Sequence, residues 1–413
     1  MYAFLWSGRL AERTVLTLCV TPATSCWPVA AGELRNDNSS MKKRALLAAA
    51  IVPLLGAIAF YAYNRWNGDA SSARATSLAS LPAAANVVFY ADFAALRQSP
   101  FAAEFFAWAP RPHVDADYAQ FLRDTGFDYE RDLDRVSIAV IKHAQDTTLF
   151  AIADGRFDRK KITAYASQSG SHETRGGHDI FSMPVNPPAS LTPTASPSTA
   201  AAASPRKTSF TFLRKDRIAL TDCADLAALL SQPQTGQDAK DWRERFARLA
   251  GSPIFAVIRQ DAAPGSALAS RAPGGWQSPQ FATLLDQLQW ITIAGKPEED
   301  RLRVITEGES SLDTSARQLA DFLNGVLLLA QAGLNGPQVR GQLDPQAREA
   351  YLELLKSADV SRIDRGETKS VRLMFDVTPK LLQAARSAVS ALPSSTPSPS
   401  HTDPPAARPS RRK

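Results

Sequence analysis

The stretch "LDRVSIAVIKHAQDTTLFAIADGRFD", Leu133 to Asp158, decides how the chain is read. Two runs rich in Val, Ile, Leu, Phe and Ala flank the polar tetrad His143–Asp146. Apolar runs of this length on either side of a short polar turn predict an antiparallel hairpin. About 150 residues later the pattern recurs in "QWITIAGKPEEDRLRVITEGES", Gln289 to Ser310, with Pro297–Asp300 at its tip.

Working outward, the elements around the two hairpins follow one order. "LPAAANVVFYADFAALRQSPF" supplies a strand over Asn86–Phe93 and then a helix starting at Ser99-Pro100. "SPIFAVIRQD" and "SPQFATLLDQL" repeat that order in the second half. "DADYAQFLRDTGFD" reads as a helix stopped by Gly126, and "DRKKITAYASQSG" as a helix ending at Gly170. "SFTFLRKDRIALTD" gives a second strand pair before the helix "CADLAALLSQ". In the second half, "LDTSARQLADFLNGVLLLAQAGL" is a helix with Leu319, Phe322, Leu323, Val326 and Leu327 on one face. Asp344-Pro345 is an N-cap and N1 pair for the next helix. "KSVRLMFDV" is a strand and "TPKLLQAARSAVSAL" a closing helix. The expected fold class is α+β: two diverged repeats of mainly antiparallel sheet with packed helices, over 80–231 and 249–392.

The flanks differ in character. "MKKRALLAAAIVPLLGAIAFYAYNRW", residues 41–66, places Lys42, Lys43 and Arg44 before nineteen uncharged, mostly apolar residues, Ala45 to Tyr63. As a helix this run spans a hydrocarbon core of ~30 Å. The cations predict an N-in, C-out orientation, and Tyr61, Tyr63 and Trp66 form the aromatic belt. The rival reading is a signal peptide cleaved after Ala57-Ile58-Ala59. Both send the remainder across a bacterial inner membrane into the periplasm, anchored by 45–63 in one case and secreted in the other. Residues 1–40 read as a start-site artefact or a disordered tail, and 67–79 as a polar linker. Residues 186–207 read as a Pro/Ser/Thr-rich disordered insertion, and 393–413 as a disordered basic tail.

Charge location bears on partners. The chain of 413 residues carries a formal net charge of +6. Residues 1–40 sum to zero, 41–79 carry +4 and 391–413 carry +3, leaving −1 for 80–390. A nucleic-acid partner needs a basic face that this distribution does not provide, so none is expected. Three cysteines, of which only Cys223 lies in the globular region, exclude an internal disulfide or a Cys-based zinc site there.

Together "LPAAANVVFYADFAALRQSPF", "TGFDYERDLDRVSIAV" and "FTFLRKDRIALTD" resemble a group of uncharacterised bacterial extracytoplasmic proteins with one N-terminal membrane segment and a duplicated α+β region. The resemblance implies a layout over most of residues 80–392 and transfers no activity.

Catalytic motifs are few. "SHETRGGHD", Ser171 to Asp179, holds His172 and His178 with Glu173 and Asp179 beside them, the one set with metal-ligand character. The spacing of six, interrupted by Gly176-Gly177, is not the i, i+4 pair of a helical zinc site. An exposed helix-to-strand loop, with glycines that permit a tight turn, is the reading these residues favour. "DAD" at Asp115–Asp117 suits a helix N-terminus, and "SPRK" at Ser204–Lys207 lies in the insertion. "PGGW" at Pro273–Trp276 reads as a turn. No catalytic or cofactor-binding residue is assigned and no cofactor is expected. The sequence therefore predicts a membrane-anchored envelope binding or structural module, with an envelope protein or polymer as partner. The alternative is an envelope hydrolase, metal-assisted through His172 and His178.

Overall fold

The computed structural model describes residues 70–108, 116–143, 146–184, 207–223, 225–232, 235–262, 265 and 279–390. The expectations for 1–40, 41–66, 393–413, the "PGGW" turn, Asp115 and the insertion up to residue 206 lie outside them. No helix among the described residues is long and apolar enough to cross a membrane.

The chain builds an α+β fold around one twelve-stranded, wholly antiparallel sheet. The strands are β1 (Val87–Asp92), β2 (Leu133–Lys142), β3 (Thr147–Gly155), β4 (Ser171–Arg175), β5 (His178–Pro184), β6 (Lys207–Arg214), β7 (Arg217–Thr221), β8 (Ile254–Arg259), β9 (Trp290–Glu298), β10 (Arg301–Ser310), β11 (Asp359–Arg365) and β12 (Thr368–Val377). Their order across the sheet is β11-β12-β10-β9-β8-β1-β2-β3-β7-β6-β5-β4. The two hairpins read from sequence are β2–β3 and β9–β10, each placed one strand from the centre. At the centre β1 pairs with β8, Phe89 facing Ala256. The two halves of the chain thus share one continuous hydrogen-bonded ladder.

Alternation along each strand sends neighbouring side chains to opposite faces. Val88, Tyr90, Phe150, Ile152, Phe255, Val257, Trp290 and Ala294 share one face and one core cluster. Leu78 from the helix Ala70–Ala79, Leu226 and Leu229 from Leu226–Ser231, and Trp242 from Gln237–Arg248 cover it. On the other face two clusters lie side by side. Helices Ala116–Thr125 and Arg159–Ser169 cover the first-half strands with Tyr118, Phe121, Ile162 and Ala166. Helices Asp313–Asn335, Pro345–Ser357 and Pro379–Ser390 cover the second-half strands with Leu319, Leu323, Tyr351 and Leu381.

Two expectations need correction. The "linker" 67–79 contains the helix Ala70–Ala79, whose Ser77 and Leu78 are buried. Its polar, small-residue composition hides one buried stripe. Lys207, placed in the insertion, opens β6 and pairs with Pro184. Between the two expected repeats the chain forms a further helix, Gln237–Arg248, which seats Trp242 against Phe246 and Trp290.

Candidate binding cleft at the seam of the sheet

The histidine pair does not form a site. Ser171–Arg175 is an edge strand and not a loop, hairpinned to β5 through Gly176 and Gly177, both with positive φ. Directly opposed residues share a face, and His172 opposes Phe181 while His178 opposes Arg175. Positions 178 and 181 are an odd number apart, so the two imidazoles point to opposite sides of the hairpin. His172 stacks on Phe181 with centroids 4.6 Å apart and sits 3.6 Å from Asp179. That is a packed edge residue with a carboxylate neighbour. No group of three or more His, Cys, Asp or Glu that would hold a metal occurs among the described residues.

A cleft of about 1060 Å³ lies where the two halves of the sheet meet. Its base is the end of β1 at Asp92 and the turn Gly251–Pro253 that enters β8. The helices Ala70–Ala79 and Gln237–Arg248, with the turn after the latter, supply Arg74, Ala75, Leu78 and Ala79, and Arg243, Phe246, Ala247 and Ala250. The 95–100 turn and the β9–β10 tip complete the wall. Small residues line both walls: Ala75 and Ala79, four apart on one helix, and Ala247 and Ala250, the first on the other helix and the second in the turn that follows it.

Hydrogen bonds fix the wall residues in place. Asp92 caps the helix Phe93–Leu96 by accepting from the Ala95 amide at 2.9 Å. Its other oxygen accepts from Arg135 Nε at 3.0 Å and Tyr90 Oη at 3.2 Å. Burial, and then the Asp92 charge, push the Tyr90 hydroxyl well above the ordinary phenol range, so it stays a donor. Asp92, Arg135, Asp154 and Arg217 face each other in one row across β1, β2, β3 and β7. Alternating signs in directly opposed positions make each pair attractive. Arg217 ends the row, gripping Asp154 at 2.6 and 2.9 Å and donating to the Ala73 carbonyl at 3.3 Å. The helix Ala70–Ala79 is therefore tied to the sheet, and Ser77 and Ser137 hydroxyls meet at 2.8 Å beneath it.

Arg74 crosses from this helix to the other wall. It donates to the carbonyls of Leu249 at 2.8 Å and Ser252 at 3.2 Å, capping the C-terminus of Gln237–Arg248. Its guanidinium lies 5.0 Å from the Tyr90 ring centroid and 4.9 Å from that of Phe255. Burial lowers its pKa, partly offset by Tyr90 and Asp92. Arg243, exposed on the opposite helix, donates Nε to the Ala239 carbonyl at 3.1 Å.

Beyond the cleft the same helix clamps the second half of the sheet. Glu309, 1% exposed, accepts from Arg245 at 2.6 Å and Arg248 at 2.7 Å. Arg245 also covers the Trp290 ring at 3.9 Å. Two positions along β10, Glu307 accepts from Arg365 and Arg372. Burial alone would raise the Glu307 carboxyl, but hydrogen bonds from Arg365, Ser370 and Arg372 outweigh it and hold the group below the ordinary range.

Sequence reasoning missed the cleft because both of its main helices went unread. The available signal was Trp242, Phe246 and Leu249, an i, i+4, i+7 stripe in a charged stretch.

No protein-family profile and no curated protein matches the chain. Among solved structures it is similar to crystal form I of TP0453, with a TM-score of 0.36 and 10% identity over 74% of this chain and 97% of that one. Crystal form III of the same protein gives a TM-score of 0.38 and 11% identity over 75% and 98%. Crystal form IV gives 0.36 and 11% over 78% and 100%.

Proposed function

We propose that the protein is a membrane-tethered module of the bacterial envelope that binds a ligand in the seam cleft, facing the periplasm. Binding, rather than turnover, is the reading the site supports best: the cleft walls are mainly Ala, Leu, Phe and Pro with a few fixed polar groups, the composition of a recognition pocket. The observation that carries the proposal is the position of the helix Ala70–Ala79, which forms one wall of the cleft and is fixed to the sheet by Arg74, Ser77 and the Ala73 carbonyl. It starts seven residues after the apolar run Ala45–Tyr63, so at most about 25 Å of extended chain separates them. With 45–63 as the anchor, the cleft is held next to the membrane.

The layout expected from sequence, two diverged repeats over 80–231 and 249–392, belongs to the same proposal. Outward from the β1–β8 pair, one arm runs hairpin β2–β3 then β7, and the other runs hairpin β9–β10 then β12. That order favours duplication and would make the cleft the joint between repeats. The hydrolase alternative through His172 and His178 has no support from their placement on opposite sides of a hairpin. An envelope protein, polymer or amphiphile as ligand is open to one test. A photo-crosslinking residue at Ala250 in the full chain, in cells, is expected to give a discrete adduct that is absent from the same residue at Arg386 on the opposite face. The adduct should disappear when Ala247→Trp fills the cleft. Equal adducts from both positions, or none at Ala250, would contradict a binding role for the cleft.

A further inference from the structure

The cleft has a charge pattern that its alanine-lined shape alone does not require. Two arginines line it from facing elements, Arg74 on Ala70–Ala79 and Arg243 on Gln237–Arg248. The direct partners of Arg74 are the Leu249 and Ser252 carbonyls and two aromatic faces, and Arg243 bonds the Ala239 carbonyl of its own helix. Among the described residues neither is ion-paired with a carboxylate. Two acids line the cleft: Asp92, at the base, is occupied by Arg135, Tyr90 and the Ala95 amide, and Glu299 is exposed at the β9–β10 tip on the far wall. Lys296, at the far wall, lies 3.4 Å from Glu298. Elsewhere on this protein the buried arginines Arg217 and Arg245 are matched with Asp154 and Glu309, whereas Arg74 is half-buried and Arg243 exposed. The cleft thus offers apolar walls and an excess of positive charge, Arg74, Arg243 and Lys296 against Asp92 and Glu299, in one cavity, complementary to a ligand with an apolar body and an acidic end.

We infer that the cleft takes a single-chain amphiphile with an anionic head, the chain against Ala75, Leu78, Phe246 and Ala247 and the head at Arg74 and Arg243. This rests on the reading of the cleft as a binding site next to a membrane, where such molecules are concentrated. A head hydrogen-bonded to a guanidinium is worth about tenfold in affinity over a neutral one.

The test uses the full chain in nanodiscs of zwitterionic phosphatidylcholine, with a dansyl-labelled undecanoate as the fluorescent probe. Dodecanoate is expected to displace the probe at about tenfold lower concentration than dodecanol. Ala247→Trp and, independently, Ala79→Trp should abolish the protein-dependent signal, and Arg243→Glu should weaken probe binding about tenfold. Unchanged unfolding midpoints for these exposed positions establish that the variants fold. Equal displacement by dodecanoate and dodecanol, with both Trp variants still blocking, would overturn the acidic head while leaving the binding cleft intact. A signal unaffected by either Trp variant would overturn the inference altogether. So would displacement by an acidic peptide such as oligoglutamate but not by dodecanoate. The crosslink from Ala250 judges the cleft itself, so the two failures are separable.

Discussion

Glu309 is the most deeply buried carboxylate of the described residues and is held by two arginines, so its loss strands their charges. Breaking one side of a buried ion pair costs about 3–5 kcal/mol. Glu309→Gln is expected to lower the urea-unfolding free energy by that amount, and a loss below about 1 kcal/mol would place the pair on the surface in effect. Glu307, beside it, sets an acid limit on stability. Its folded pKa lies below its unfolded one, so its contribution is complete above the unfolded value and lost as pH falls through the folded value. The window opens below about pH 5. Glu307→Gln should therefore flatten the fall in stability between neutral and acid pH, measured as unfolding midpoint against pH. An unchanged slope would mean that other carboxylates carry it. At the hairpin tip, the wild type and a His172→Ala/His178→Ala variant should bind zinc equally poorly by calorimetry.

At the scale of elements, the helix Gln237–Arg248 is the joint of the molecule. Trp242 is 4% exposed, crosses Trp290 edge-on at 4.9 Å and donates to the Ala83 carbonyl at 3.3 Å. Trp242→Ala should cost about 3–5 kcal/mol, read from denaturant unfolding. A close backbone approach also fixes β3, where any Cβ at Gly155 would strike the Asp132 carbonyl. These elements show what was legible in the sequence. Both central hairpins, the strands that open each half and the capped helix at Asp344-Pro345 follow from apolar runs, turn residues and caps. The helix Ala70–Ala79 did not, because one buried stripe in a ten-residue polar segment leaves too weak a periodicity to separate from a linker. The edge strand β4 was hidden for a related reason: all five of its side chains are exposed, so no alternation marks it.

The whole molecule is bound into one unit by the β1–β8 pair. The core cluster around Tyr90 and Phe255, stacked at 5.0 Å, draws on both halves of the chain, and so does the cluster that joins Val87, Phe101 and Val140 to Ile291 and Leu319. Unfolding of residues 80–390 is therefore expected to be one cooperative transition, with tryptophan fluorescence and circular dichroism coincident. Two separated transitions would show that the halves fold independently. The seam cleft was out of reach of sequence reading for the same reason, since its lining comes from five segments between Arg74 and Glu299. The proposed setting of the cleft beside a membrane rests on the apolar run Ala45–Tyr63 and its flanking cations. The account stands or falls on that orientation. With the native cysteines replaced by serine, Asp300→Cys at the exposed β9–β10 tip should be labelled by a membrane-impermeant maleimide in intact spheroplasts, with the protein in the membrane fraction. Labelling only after lysis would place the cleft on the cytoplasmic side and contradict an envelope-facing binding module.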